Sequence, residues 1–62
     1  MKVFVEMEWT GGDRYYFRLT LPDGRNYRVS GDDWNRKTAS AARDLLAVET
    51  GEERGRFRFD VK

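Results

Sequence analysis

The sequence predicts a small α+β domain of order β-β-β-α-β, an antiparallel sheet with one helix packed on one face. Three observations carry this expectation. Apolar and polar residues alternate with period two in four separate stretches. Turn residues separate the first three stretches. One stretch rich in Ala and Leu has helical spacing instead.

Residues 2–9 form the first expected strand. Val3, Val5, Met7 and Trp9 share one face, with Lys2, Glu6 and Glu8 on the other. Phe4 is an apolar exception on the polar face. Thr10-Gly11-Gly12-Asp13 reads as a turn, because glycine reaches positive φ without a steric penalty. Residues 14–21 alternate again: Tyr15, Phe17, Leu19 and Leu21 inward, Arg14, Tyr16, Arg18 and Thr20 outward. Pro22-Asp23-Gly24 closes a hairpin, with Pro setting φ at the first turn position and Gly in the left-handed one. A shorter strand over 25–30 then points Tyr27 and Val29 inward and Asn26 and Arg28 outward.

The spacing predicts a helix ending near Glu49, with Gly51 beyond its C-terminus. Its apolar stripe is Ala41, Ala42, Leu45, Leu46 and Val48. Two starts fit. Asp32 or Asp33 would cap a longer helix that keeps Trp34 on the buried stripe, which is the preferred reading; Thr38 would cap a shorter one. Glu52 to Gly55 is a solvated turn. Residues 56–61 make the last strand, with Phe57, Phe59 and Val61 inward and Arg56, Arg58 and Asp60 outward. This strand can lie beside the first, or exchange with a second copy to form a homodimer through edge strands. Trp9 and Trp34 are expected in the core.

The composition narrows the function. The chain has 62 residues, enough for one domain, 1–62. With no Cys and no His, it has no disulfide, no thiolate or imidazole metal ligand and no His-based catalytic triad. Ser30 and Ser40 therefore have no His to activate them. Gly11-Gly12 does not match a phosphate-loop spacing. No enzyme, no cofactor and no metal site are expected. Asp32-Asp33 and Glu6/Glu8 lack liganding spacing for a hard cation. Met1 to Val5 runs at once into Glu6 and Glu8, leaving no apolar signal segment and no membrane span, so the chain reads as cytoplasmic. Charged residues make up 37% of the chain, a level compatible with disorder, yet the aromatics reach 15% and are patterned, which argues for a packed core.

Twelve cations face eleven acids, and nine of the twelve are Arg. Arg offers a planar fork suited to carboxylate, phosphate and aromatic faces. The alternation gathers five of them, Arg14, Arg18, Arg28, Arg56 and Arg58, on the open sheet face with Tyr16 and Phe4. Guanidinium groups interleaved with rings suit a nucleic-acid strand, phosphates on the cations and bases on the rings. The same alternation also keeps the uncovered face of a plain sheet soluble, with Glu6 and Glu8 pairing across strands. Arg36, Lys37, Thr38, Ser40 and Arg43 at the helix start are a weaker anion site, opposed by Asp32 and Asp33.

Two families share parts of this pattern. Tyr15-Tyr16-Phe17-Arg18-Leu19, Asp23-Gly24, Ser30-Gly31 and the helix start Lys37-Thr38-Ala39-Ser40-Ala41 resemble the YegP-type small sheet-plus-helix proteins, whose function is largely unknown. The resemblance covers residues 1–48; the last strand departs from it. The same stretch, with Thr38, Ala42 and Arg43 opening the helix, is similar to the arm-DNA-binding domain of phage tyrosine integrases. That resemblance implies a sheet entering the DNA major groove, with Arg18, Arg28 and either Arg14 or Tyr16 in contact.

The sequence thus points to a non-catalytic binding module. Its expected contact residues are Arg14, Tyr16, Arg18, Arg28, Arg56 and Arg58, and its expected partner is nucleic acid. The alternative is a phage- or mobile-element-type regulator that binds and inhibits a larger host protein complex, in the manner of an anti-CRISPR protein.

Overall fold

The computed structural model describes residues 1–62 and contains four strands and one helix. In chain order they are β1 (Lys2–Gly11), β2 (Arg14–Thr20), β3 (Asn26–Ser30), α1 (Arg36–Thr50) and β4 (Arg58–Val61), with a single 3-10 turn at Arg54–Arg56 before β4. The strands form one sheet in the order β3-β2-β1-β4. β1, β2 and β3 run antiparallel as consecutive hairpins. β4 lies beside β1 and parallel to it, with Val3 opposite Phe59 and Val5 opposite Val61. The sheet is therefore mixed, not purely antiparallel. α1 carries the chain from the C-terminal end of β3 back to the end of the sheet where β1 and β3 begin, so β4 runs parallel to both.

Both hairpins follow from local chemistry. Gly11 and Gly12 hold φ of 101° and 63°, and Arg14 pairs directly with Gly11. In the second turn Gly24 has φ of 94° and donates its N–H to the Leu21 carbonyl at 3.0 Å. Asp23 locks this turn. Its carboxylate accepts the Arg25 backbone N–H at 3.0 Å and Nε–H at 2.7 Å. These bonds, the backbone one foremost, hold the Asp23 carboxyl below the usual range, and Asp23 in turn raises Arg25.

The core is Val3, Val5, Phe17, Leu19 and Leu21 from the sheet side, Ala42 and Leu46 from α1, and Phe57. The helix start matches neither expected cap. Asn35 is the N-cap, its Oδ1 accepting the Thr38 N–H at 3.0 Å, while Asp32 and Asp33 are exposed. Trp34 lies before the helix with its ring edge-on to Phe17 at 5.3 Å and Phe59 at 5.0 Å. Helical backbone begins only after Trp34 has been placed between these rings. Thr38 is buried and donates to the Asp33 carbonyl at 2.7 Å. Gly31 makes room for it: a Cβ there would come within 3.2 Å of the Thr38 methyl group.

The buried line of α1 is Thr38, Ala42 and Leu46, spaced four apart, with Leu45 and Ala47 partly buried beside it. Ala41 and Val48, expected on the stripe, face solvent, Val48 at 81% exposure. Val48 sits about 200° around the helix from Leu46, so both cannot face the sheet. The helix closes at Gly51, whose φ of 77° lets its N–H reach the Ala47 carbonyl.

Candidate functional site

The sheet's open face carries most of the residues expected to bind. The ladder sets them in rows: Ser30–Tyr16–Glu8, Arg28–Arg18–Glu6, and Asn26–Thr20–Phe4–Asp60. Arg18 and Arg28 stand directly opposite one another, a repulsive placement. Their guanidinium groups diverge. Arg18 reaches diagonally to Glu8, with Nε 2.6 Å from Oε1 and Nη2 donating to Oε2 at 3.1 Å. The buried Nε–H is not aligned for a hydrogen bond, so the first contact is an ion pair only. Arg28 lies over the Tyr16 ring at 4.5 Å, and the Tyr16 hydroxyl donates to Glu8 Oε2 at 2.7 Å. Arg28, Tyr16, Glu8 and Arg18 thus form one connected network.

This network changes what the face can do. Arg18 is already neutralised, and one face of the Tyr16 ring is covered by a cation. Arg56, expected here, belongs to the 3-10 turn outside the strand, and its Nε is 3.7 Å from Glu52. Six consecutive alternating residues suggest a strand over 56–61, but the turn consumes its first residue and Phe57 links turn to strand. Arg14, Arg28 and Arg58 remain on the face without a carboxylate partner. Arg28 and Arg58 lie on opposite edge strands, with Glu6 and Glu8 on β1 between them. Glu6 holds Lys62 at 3.3 Å, and Asp60 is 3.9 Å from Lys2. The result is a mosaic of both signs, not a continuous positive stripe.

A second surface was missed by the alternation. Met7, Trp9 and Tyr15 point to the helix side of the sheet, as expected, but α1 does not cover them. They are 49%, 64% and 40% exposed. Trp9 pairs with Tyr15 and Met7 with Phe17, so the three form one apolar shelf contiguous with the core. The Trp9 indole N–H donates to the Gly12 carbonyl at 2.8 Å, which fixes the ring over the turn. Strand length held the signal. Ten strand residues span roughly 33 Å and fifteen helical residues roughly 22 Å, so part of the first hairpin had to project.

At the helix start, the Thr38 hydroxyl and N–H are used in capping, and Ser40 Oγ accepts from Arg54 at 3.0 Å. Arg54 also pairs with Asp44. No cluster of three or more carboxylates is assembled as cation ligands, and no helix is long and apolar enough to cross a membrane. The surface defines a small mixed-sheet α+β domain with a charged open face and an apolar shelf at one end. No family model, curated protein or solved structure matches the chain.

Proposed function

We propose that the protein is a non-catalytic binding module whose partner is another protein. The observation that carries this reading is the shelf of Met7, Trp9 and Tyr15. Isolated apolar side chains on a surface need no explanation, but three in register do, and Trp and Tyr are the residues that anchor protein interfaces. The mosaic of paired charges on the open face supports the same class, since protein surfaces present both signs and a phosphate backbone only one. Capture from a lysate of the encoding organism tests it. The partner should survive nuclease treatment and be lost with Trp9→Thr. If nuclease abolishes capture, or Trp9→Thr leaves it unchanged, the reading fails.

One observation favours nucleic acid as a second reading: Arg14, Arg28 and Arg58 have no acidic partner, and Arg28 lies over the Tyr16 ring. Three phosphate contacts would give a slope of log affinity on log salt of about −2 to −3. Titration of a mixed-sequence oligonucleotide at rising salt measures that slope. Absence of binding at low salt eliminates this reading.

A further inference from the structure

β1 is a central strand for only half its length. β4 pairs with Lys2–Val5 and then ends, while β2 continues beside β1 to the first turn. The Met1 and Val5 carbonyls accept from Arg58 N–H at 2.8 Å and Lys62 N–H at 3.1 Å, so odd-numbered residues of β1 direct their backbone toward β4. With period two, the next such residues are Met7 and Trp9. No strand lies beside them on that side. An open backbone edge therefore runs along the shelf, and the same two residues supply both its hydrogen-bonding groups and its apolar side chains.

The chemistry on the two faces of this edge specifies an occupant. On the helix side, a strand continuing the line of β4 would rest on Met7 and Trp9, which favours apolar residues. On the open face its alternate residues would pass Glu6, which favours a basic one, and then Glu8, whose carboxylate is already held by Arg18 and Tyr16. Lys62, the first residue beyond β4 on that line, already places its ammonium 3.3 Å from Glu6. Both side chains of this pair are largely exposed, so an incoming cation can replace Lys62 at small cost. We infer that the open edge of β1 at Met7–Trp9 accepts an extended segment of a partner protein in which basic and apolar residues alternate, adding a strand to the sheet. This rests on the shelf being a protein-binding surface and names the segment it takes. A second copy pairing β1 with β1 would set the carboxylates of one copy against those of the other. The β3 of a second copy, with Tyr27, Arg28 and Val29, fits the alternation but makes a head-to-tail contact, which builds a ring or a filament and not a two-fold dimer.

The test is an amide NMR titration with two synthetic peptides, Lys-Val-Arg-Phe-Lys and Glu-Val-Asp-Phe-Glu, both blocked at their ends. The basic peptide should saturate and shift the Met7 and Trp9 amides, slowing their hydrogen exchange, and the acidic one should not. Glu6→Lys should weaken the basic peptide about tenfold. Trp9→Thr should weaken it at least as much. Equal binding of the two peptides, or shifts confined to Arg14, Arg28 and Arg58, overturns the inference. So do shifts of Met7 and Trp9 that depend on protein concentration without peptide, since the edge then belongs to a second copy. If the peptides do not bind but Trp9→Thr still abolishes partner capture, strand addition is wrong and the protein-binding surface stands. If capture also survives Trp9→Thr, both fall.

Discussion

The two ends of the first hairpin obey the same alternation and have opposite fates. At the β4 end, Val3, Val5 and Leu19 are fully buried under Ala42 and Leu46. At the turn end, Met7, Trp9 and Tyr15 occupy equivalent positions on the same face and stay in water. Period two decides which face a side chain joins. It does not decide whether anything covers that face. Coverage here depends on where a fifteen-residue helix begins and ends. The covered end holds the domain together, and the bare end is where we propose that a partner binds.

The largest effect that separates the ends is a cavity. Leu46→Ala should cost about 2–5 kcal/mol, enough to leave a domain of this size partly unfolded, and denaturant melts will measure it. Asn35→Ala removes the helix cap and should cost about 1 kcal/mol by the same measurement. Trp9→Thr and Met7→Thr keep strand propensity and empty no cavity, so each should fall within about 0.5 kcal/mol of the parent. A loss at Trp9 approaching that at Leu46 would show that the shelf is part of the core and would break the comparison.

The smallest effect sits in the second turn. The Asp23 carboxyl is held below its unfolded value. Its contribution is therefore complete above the unfolded carboxylate pKa and is lost as pH falls through the lower folded value. Asp23→Asn should leave stability unchanged at a pH low enough to protonate the folded carboxyl and reduce it slightly at neutral pH. Melts at both pH values test the sign. The turn is fully exposed, so the difference should be small beside that of Asn35→Ala.

Much of the fold was legible. Gly11-Gly12 and Pro22-Asp23-Gly24 marked both hairpins because positive φ and a preset φ leave few alternatives. The inward residues of all four strands were placed on the correct face. The helix cap was not, because Asp32, Asp33, Asn35 and Thr38 are all competent caps and only the seating of Trp34 between Phe17 and Phe59 selects Asn35. The direction of β4 depends on a crossover that no local pattern records. Arg14, Arg18, Arg28, Tyr16 and Arg58 were correctly placed on one face. Their pairing was hidden, since it needs the diagonal reach of Arg18 to Glu8 across the ladder. Arg56 was misplaced because alternation continued through a residue that the 3-10 turn had taken.

The division between a stabilising end and a proposed binding end is tested most directly by one paired measurement on Trp9→Thr: the unfolding midpoint and nuclease-resistant partner capture, on the same preparation. The expected result is an unchanged midpoint with capture lost. Capture equal to that of the parent protein would contradict the account, whatever the midpoint does.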